Sequence, residues 1–175
     1  MRQLDAGELF VRSGSILWMS SKHVPQQTDQ RRTIVVDITL HKDMAATPEA
    51  LFDTLNDPAL RPRWQRSLKR VELGEADPAG GVTRWREQTR LGPAFAMEIV
   101  EQDRPRRWAE RGEGGGVTVS LLVGLAPSGT GSRMALSLTL NLPWPLRPAA
   151  PLLRLLIASE LQGDLRRLDQ LAQER

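Results

Sequence analysis

Cysteine and tyrosine are absent from this sequence of 175 residues. Without cysteine there can be no disulfide, no thiolate nucleophile and no cysteine-based zinc or iron–sulfur site. Histidine is scarce too, because His23 and His41 are the two in the chain and they do not have the i, i+4 spacing of a helical metal site. A Ser-His-Asp arrangement would depend on His41, whose neighbours include no evident nucleophile. We therefore expect no metal, no cofactor and no catalytic residue of these kinds.

Long apolar runs are also missing. The Leu-rich stretch at 152–171 is interrupted by six charged residues, whereas a membrane-spanning helix needs about 20 apolar residues in succession. Near the N-terminus the apolar residues 9–11 stop at Arg12, which is too short a run for a secretory signal. These patterns predict a cytoplasmic location.

The excess of positive charge is small, with a formal net charge of +3, although Arg outnumbers Lys 21 to 3. A dedicated nucleic-acid-binding protein normally has a clustered basic face, so we expect no DNA partner. One basic run does stand out, and it consists of Arg61, Arg63, Arg66, Lys69 and Arg70. A solvated surface explains such a run, and contact with RNA or an anionic membrane is the alternative.

Residues 1–32 differ from the rest of the chain. They are polar and carry no sustained periodicity, so we interpret them as an N-terminal extension with at most a short helix near residues 4–11. Met19 offers an alternative start, which would leave residues 1–18 outside the native protein. Residues 33–175 are predicted to form a single domain.

Secondary-structure signals become regular from Thr33. Apolar residues alternate over 34–40, which predicts a strand. Thr47 and Pro48 then supply an N-cap and a first helical position, predicting a helix to Leu55 and one more helical turn over 59–64. Six further strands are predicted between Gly-, Pro- and Asp-rich turns, at 68–73, 82–91, 95–102, 106–113, 117–126 and 134–142. Leucines at three- and four-residue steps from 153 to 171 predict a long amphipathic C-terminal helix.

This order of elements predicts an α+β protein in which a curved antiparallel sheet of about seven strands wraps around the C-terminal helix. One or two short helices follow the first strand. Because a strongly bent sheet need not close completely on one helix, a cavity between them is the expected place for a ligand.

The chain resembles the START-like, Bet v 1-like (SRPBCC) superfamily with its helix-grip fold, in the polyketide cyclase/dehydrase branch. The resemblance covers roughly residues 34–173. It rests on Ala-Thr-Pro-Glu-Ala-Leu-Phe at 46–52, Asn-Asp-Pro at 56–58 before Trp64, Val-Thr-Arg-Trp at 82–85, Glu-Ile-Val-Glu-Gln-Asp-Arg-Pro-Arg-Arg-Trp at 98–108, Gly-Thr-Gly-Ser-Arg-Met at 129–134, and Asp-Leu-Arg-Arg-Leu at 164–168. The superfamily includes lipid carriers, hormone receptors and aromatases/cyclases, so the resemblance implies a fold more than an activity. It also implies that Trp64 lies at the pocket entrance, and a purely structural role is the alternative.

The strand around Trp85 has one face that is entirely polar, so Trp85 is predicted to point inward together with Glu87 and Thr89. An acidic side chain in a dry core would be costly. Glu87 therefore indicates either a wet cavity or an open strand end.

On the next-but-one strand, Trp108 shares a face with Arg106 and Glu110. These two charged residues could anchor a polar ligand group, or they could form a structural ion pair with each other. Phe95, Met97 and Ile99 share a further face, which fits either plain core or an adaptable pocket wall.

The last two strands are almost purely aliphatic on one face and oppose the Leu-rich helix, so the cavity walls are expected to be apolar. The candidate ligand-binding residues are Trp64, Trp85, Glu87, Phe95, Met97, Trp108, Glu110, Leu121, Leu138, Leu153, Ile157 and Leu161.

Three functions remain open. The leading hypothesis is the binding of an apolar, lipid-like or polycyclic small molecule without covalent chemistry. The second is a cyclase/aromatase-type enzyme in which a cavity acid or Arg moves a proton. The third is an interaction protein associated with ribosomes, quinones or a membrane through segment 61–70. The sequence does not determine the oligomeric state.

Overall fold

The computed structural model describes residues 33–74, 81 and 83–175. The predictions made for residues 1–32, including the alternative start at Met19, lie outside this described part of the chain.

Seven strands form one sheet in which all neighbours are antiparallel. The strands are β1 Thr33–Met44, β2 Leu68–Leu73, β3 Arg84–Thr89, β4 Ala94–Asp103, β5 Arg107–Gly114, β6 Val117–Ser128 and β7 Gly131–Pro143. Their order across the sheet is β1-β7-β6-β5-β4-β3-β2, so strands that are consecutive along the chain pair as hairpins from β2 to β7. β1 pairs with β7, which places β1 and β2 at opposite edges.

The connection between these two edges contains the short helices. Helix α1, Pro48–Leu55, begins where the Thr47 hydroxyl accepts a hydrogen bond from the Ala50 N–H at 3.3 Å, and Pro48 occupies its first turn. A 3₁₀ turn at Pro58–Leu60 leads into α2, the four-residue helix Arg61–Trp64. The chain thereby crosses from one sheet edge to the other and contacts the C-terminal helix on the way.

That helix, α3, spans Ala150–Gln173 and is preceded by a 3₁₀ segment at Trp144–Ala149. Its buried residues are Asp164, Leu165, Leu168, Leu171 and Ala172, all in the C-terminal part. The Asp169 carboxylate accepts hydrogen bonds from the N–H groups of Ala45 and Ala46 at 3.1 and 2.9 Å, so it ties this part of α3 to the chain just before α1. None of the helices in the described residues is long and apolar enough to cross a bilayer.

The core lies between the inner face of the sheet, α1 and the C-terminal part of α3. Its members include Val36 and Ile38 from β1, Leu51 and Phe52 from α1, and Leu168 from α3. β6 and β7 contribute alternate residues, Val123, Leu125, Met134, Leu136, Leu138, Leu140 and Leu142. The predicted architecture, with seven antiparallel strands, short helices after the first strand and a long C-terminal helix, is confirmed.

Candidate functional site

A cavity of about 290 Å³ lies between the inner face of the sheet, α2 and the middle of α3. Its apolar walls are Trp64, Leu68, Phe95, Met97, Val119, Leu121, Leu138, Leu140, Ile157 and Leu161. Its polar lining is Arg61, Gln65, Ser67, Glu87, Thr89, Glu110, Glu160 and Asp164. The apolar wall residues come mostly from strands β4, β6 and β7, whereas the charged residues come from β3, β5, α2 and α3.

The centre of the charged cluster is Arg61, which is 2% exposed. One of its terminal nitrogens donates to Glu110 Oε2 at 2.8 Å and the other donates to Glu110 Oε1 at 2.9 Å, so this pair is bidentate. The Nε of Arg61 also lies 2.5 Å from Glu87 Oε1. One guanidinium is therefore shared by two carboxylates, both of which are buried.

Sheet register explains why these carboxylates come together. Glu87 on β3 is opposite Phe95 on β4, and Glu110 on β5 is opposite Ile99 on β4. β4 therefore separates the two acidic strands, and both side chains point to the same inner face. α2 begins at Arg61 and crosses above them, which puts the guanidinium between the two carboxylates.

Two tryptophan rings lie close to the guanidinium. The Arg61 carbon Cζ lies 5.4 Å from the ring centroid of Trp64 and 5.4 Å from that of Trp85, so both indoles make cation–π contacts with it. The Trp85 indole N–H donates to Glu87 Oε1 at 2.8 Å. Trp64 is 4% exposed, and its indole N–H has no hydrogen-bond partner among the described residues.

The electrostatics of the cluster follow from its burial. Loss of solvent raises the pKa of Glu110 from its ordinary 4.5 to about 7; attraction by Arg61 opposes this shift, and repulsion by Glu87 adds to it. For Arg61, burial acts to lower the pKa, but attraction by Glu110 and then Glu87 outweighs it, so the pKa is raised. Arg61 accordingly stays charged, while Glu110 can gain or lose a proton near neutrality.

A second acidic group lies at the α3 side of the cavity. The Asp164 carboxylate accepts a hydrogen bond from the Arg66 backbone N–H at 3.2 Å and another from the Arg167 side chain. Burial raises the pKa of Asp164, and the two hydrogen-bonded neighbours oppose that rise. Glu160, one turn earlier on α3, also lines the cavity and is exposed to solvent. Among the described residues, no group of three or more His, Cys, Asp or Glu side chains is arranged to hold a metal ion.

Most of the residues singled out from the sequence meet at this cavity. Those in its lining are Trp64, Glu87, Phe95, Met97, Glu110, Leu121, Leu138, Ile157 and Leu161. Trp85 and Trp108 are buried as expected but do not line it, since the Trp85 ring covers Arg61 and Trp108 is fully enclosed. Leu153 packs against the core nearer the start of α3 and is also outside the lining.

Two interpretations of charged residues were wrong. Glu110 does not pair with Arg106, because β5 begins at Arg107 and Arg106 is exposed in the preceding turn; its partner is Arg61. The basic run is not one continuous surface, because Arg61 turns inward into the cavity wall. Arg63, Arg66, Lys69 and Arg70 remain exposed, and their contact with RNA or an anionic membrane stays a prediction.

Two charged residues of the cavity lining, Arg61 and Asp164, are not among the candidate ligand-binding residues named from the sequence. Arg61 stood out only as a member of the basic run, and nothing indicated that it is buried, because a four-residue helix shows no periodicity from which to infer a buried face. Asp164 did carry such an indication, since it lies three residues after Leu161 and four before Leu168, on the apolar stripe of α3. A lone acid on such a stripe indicates a buried carboxylate that needs partners.

Fold and cavity together define a helix-grip protein of the START-like type. Residues 35–173 match the family described as "Polyketide cyclase / dehydrase and lipid transport". The chain belongs to this family.

Solved structures with the same fold are distant in sequence. A START superfamily protein from Mycobacterium smegmatis is 16% identical, covers 80% of this chain and 97% of its own, and superposes with a TM-score of 0.61. A protein from Thermus thermophilus is 20% identical, with 79% and 98% coverage and a TM-score of 0.64. The protein Ara h 8.0201 is 16% identical, with 81% and 99% coverage and a TM-score of 0.58. Similarity at this level demonstrates the fold alone. No curated protein matches the chain significantly.

Proposed function

We propose that this protein binds an apolar small molecule, lipid-like or polycyclic in character, in the cavity between the sheet and α3. The observation that carries the proposal is the cavity itself, about 290 Å³ with walls of Leu, Val, Ile, Met, Phe and Trp side chains. Burying apolar ligand surface against such walls contributes roughly 25 cal/mol per Å² before the costs of association. The volume is at the lower end of the roughly 300–1,000 Å³ typical of ligand pockets, which favours a compact ligand.

The direct experiment is native mass spectrometry of the freshly purified protein, followed by calorimetric titration with octanol as a neutral apolar probe. We expect a co-purified small molecule or saturable binding of octanol with one site per chain. A protein that carries nothing and does not bind octanol would contradict the proposal.

A matched pair of variants on β6 locates the site. Leu121 lines the cavity, whereas Leu122 is 37% exposed on the opposite face of the same strand. Leu121→Phe should fill part of the cavity and weaken octanol binding by about tenfold or more. Leu122→Phe should leave binding unchanged, and equal effects of the two variants would place the binding site elsewhere.

A second candidate function is a cyclase-type enzyme, and Glu110 is the residue that favours it. A carboxyl group with a pKa of about 7 that faces an apolar cavity is suited to general acid–base catalysis at neutral pH. The test is turnover of a poly-β-carbonyl chain by the wild type and by Glu110→Gln. Loss of turnover with retained fold and octanol binding would support catalysis, and wild-type protein without turnover would remove this candidate.

A further inference from the structure

Acidic residues outnumber basic residues in the cavity lining. Four carboxylates, those of Glu87, Glu110, Glu160 and Asp164, face one guanidinium, that of Arg61. Arg167 pairs with Asp164 from outside the lining, and even with this cation included the carboxylates are in excess by two. An anionic ligand would enter a site of its own sign, whereas a cationic one would relieve the excess.

The single cation of the lining is already occupied. Arg61 donates from its terminal nitrogens to both oxygens of Glu110, its Nε lies 2.5 Å from Glu87 Oε1, and its Cζ lies 5.4 Å from the ring centroids of Trp64 and Trp85. A ligand carboxylate or phosphate would have to displace a buried carboxylate to reach it. Breaking such a buried charge pair is strongly unfavourable, because it leaves an uncompensated charge in the interior.

The cavity does offer a hydrogen-bond acceptor to a ligand that carries a donor group, namely the carboxylate of Glu87. Glu87 Oε1 contacts both the Trp85 indole N–H and Arg61, whereas Glu87 Oε2 takes part in neither of these contacts. The side chain of Glu87 is 6% exposed and lines the cavity. The Trp64 ring in the same lining can also face a cation.

We infer that the cavity takes an apolar molecule ending in a protonated amine, held by Glu87 and Glu110, and that it rejects carboxylates and phosphates. This inference rests on the proposed function and specifies the class of ligand. An ammonium group has three N–H donors and no acceptor, which matches two carboxylates and an indole face. A neutral hydroxyl has one donor and cannot offset the excess negative charge.

The experiment compares octylamine, octanol and octanoate, which share a chain length and differ in the terminal group. Each is titrated calorimetrically into the full chain at about pH 8, where the amine is protonated and the acid ionised. We expect octylamine to bind at least about tenfold more tightly than octanol, and octanoate to bind more weakly than either. Octanoate or octanol binding as tightly as octylamine would overturn the inference and leave the proposed function standing. Absence of binding by all three probes would overturn both.

Two carboxylates on opposite faces of the sheet provide the matched variants. Glu87→Gln removes the charge inside the cavity and should lower octylamine affinity by about tenfold while changing octanol affinity by less than about threefold. Glu98→Gln, on β4 with a side chain that is 43% exposed, should change neither. Circular dichroism checks that both variants fold.

If Glu87→Gln does not fold, Glu160→Gln at the exposed part of the lining replaces it, with an expected loss of about twofold to threefold for octylamine alone. Equal loss for octylamine and octanol in the cavity variant would contradict the inference.

Discussion

Arg61 and Glu110 are separated by 49 positions in the sequence and form a bidentate ion pair, at 2.8 and 2.9 Å, inside the protein. Residue 61 begins a helix of four residues, and residue 110 lies in the middle of β5. The pair thus joins the segment that crosses between the sheet edges to the centre of the sheet. Since Glu87 contacts the same guanidinium, three buried charges depend on one another.

Removing the guanidinium should therefore be costly. Arg61→Met leaves Glu87 and Glu110 buried without their cation, and breaking a buried pair in this way typically costs about 3–5 kcal/mol of unfolding free energy. Urea denaturation monitored by circular dichroism measures the loss. The control is Arg63→Met on the same helix, whose side chain is 59% exposed and which should change stability by less than about 0.5 kcal/mol. Similar values for the two variants would contradict the assigned role of Arg61.

Stability should depend on pH because of Glu110. Its folded-state pKa of about 7 is above the ordinary 4.5, so between these values the folded protein binds more protons than the unfolded chain. The contribution of Glu110 is fully present below about pH 4.5 and is lost as the pH rises through about 7. The pKa difference corresponds to a loss on the order of 3 kcal/mol.

Glu110→Gln isolates this contribution. The unfolding free energy of the wild type should fall by about 3 kcal/mol more than that of the variant between about pH 4.5 and 7. Glu113→Gln, on the same strand with a side chain that is 64% exposed, should follow the wild type. Parallel pH profiles for the wild type and Glu110→Gln would show that the Glu110 carboxyl is not perturbed.

Helix α3 should open locally from its N-terminal part. Residues 150–163 include no buried position, and Leu152, Leu155 and Leu156 are more than half exposed. Few buried contacts mean a low free energy of local opening. Hydrogen exchange measured by mass spectrometry should therefore be faster in residues 150–163 than in 164–173.

Because Ile157 and Leu161 line the cavity, saturation with octanol should slow exchange around them. Uniform protection along α3 would contradict this prediction.

The C-terminal part of α3 should depend on Asp169. Asp169→Ala leaves the N–H groups of Ala45 and Ala46 without the carboxylate that accepts from both. The expected loss of unfolding free energy is about 1–3 kcal/mol, measured by urea denaturation. Asp169→Asn keeps one acceptor oxygen and should lose less. An Asn variant as destabilised as the Ala variant would show that the charge, and not the hydrogen bonding, is what matters.

The apolar part of the site was largely predictable from the sequence. Leu121, Leu138, Ile157 and Leu161 each lie on a regular strand or helix pattern whose period determines which face is buried, and all four line the cavity. Glu87 was found for the same reason, because it shares the inward face of β3 with Trp85. The partner of Glu110 was not predictable, since ion pairing between Glu110 and any arginine depends on which segments the tertiary fold brings together.

The seven strands, the N-capped helix α1, the long helix α3 and the aliphatic cavity walls were determined by the sequence itself. They depend on local periodicity and on turn residues, and both are properties of residues that are close together in the chain. What only the tertiary structure decided is the charged cluster. Side chains along a strand alternate between the two faces of the sheet regardless of which segment packs against them. A buried arginine, in contrast, is stabilised by groups that are distant in the chain. Arg61, the first residue of the basic run at 61–70, is therefore buried although the rest of the run is exposed. Two carboxylates and two indole rings take the place of the water that would surround an exposed guanidinium.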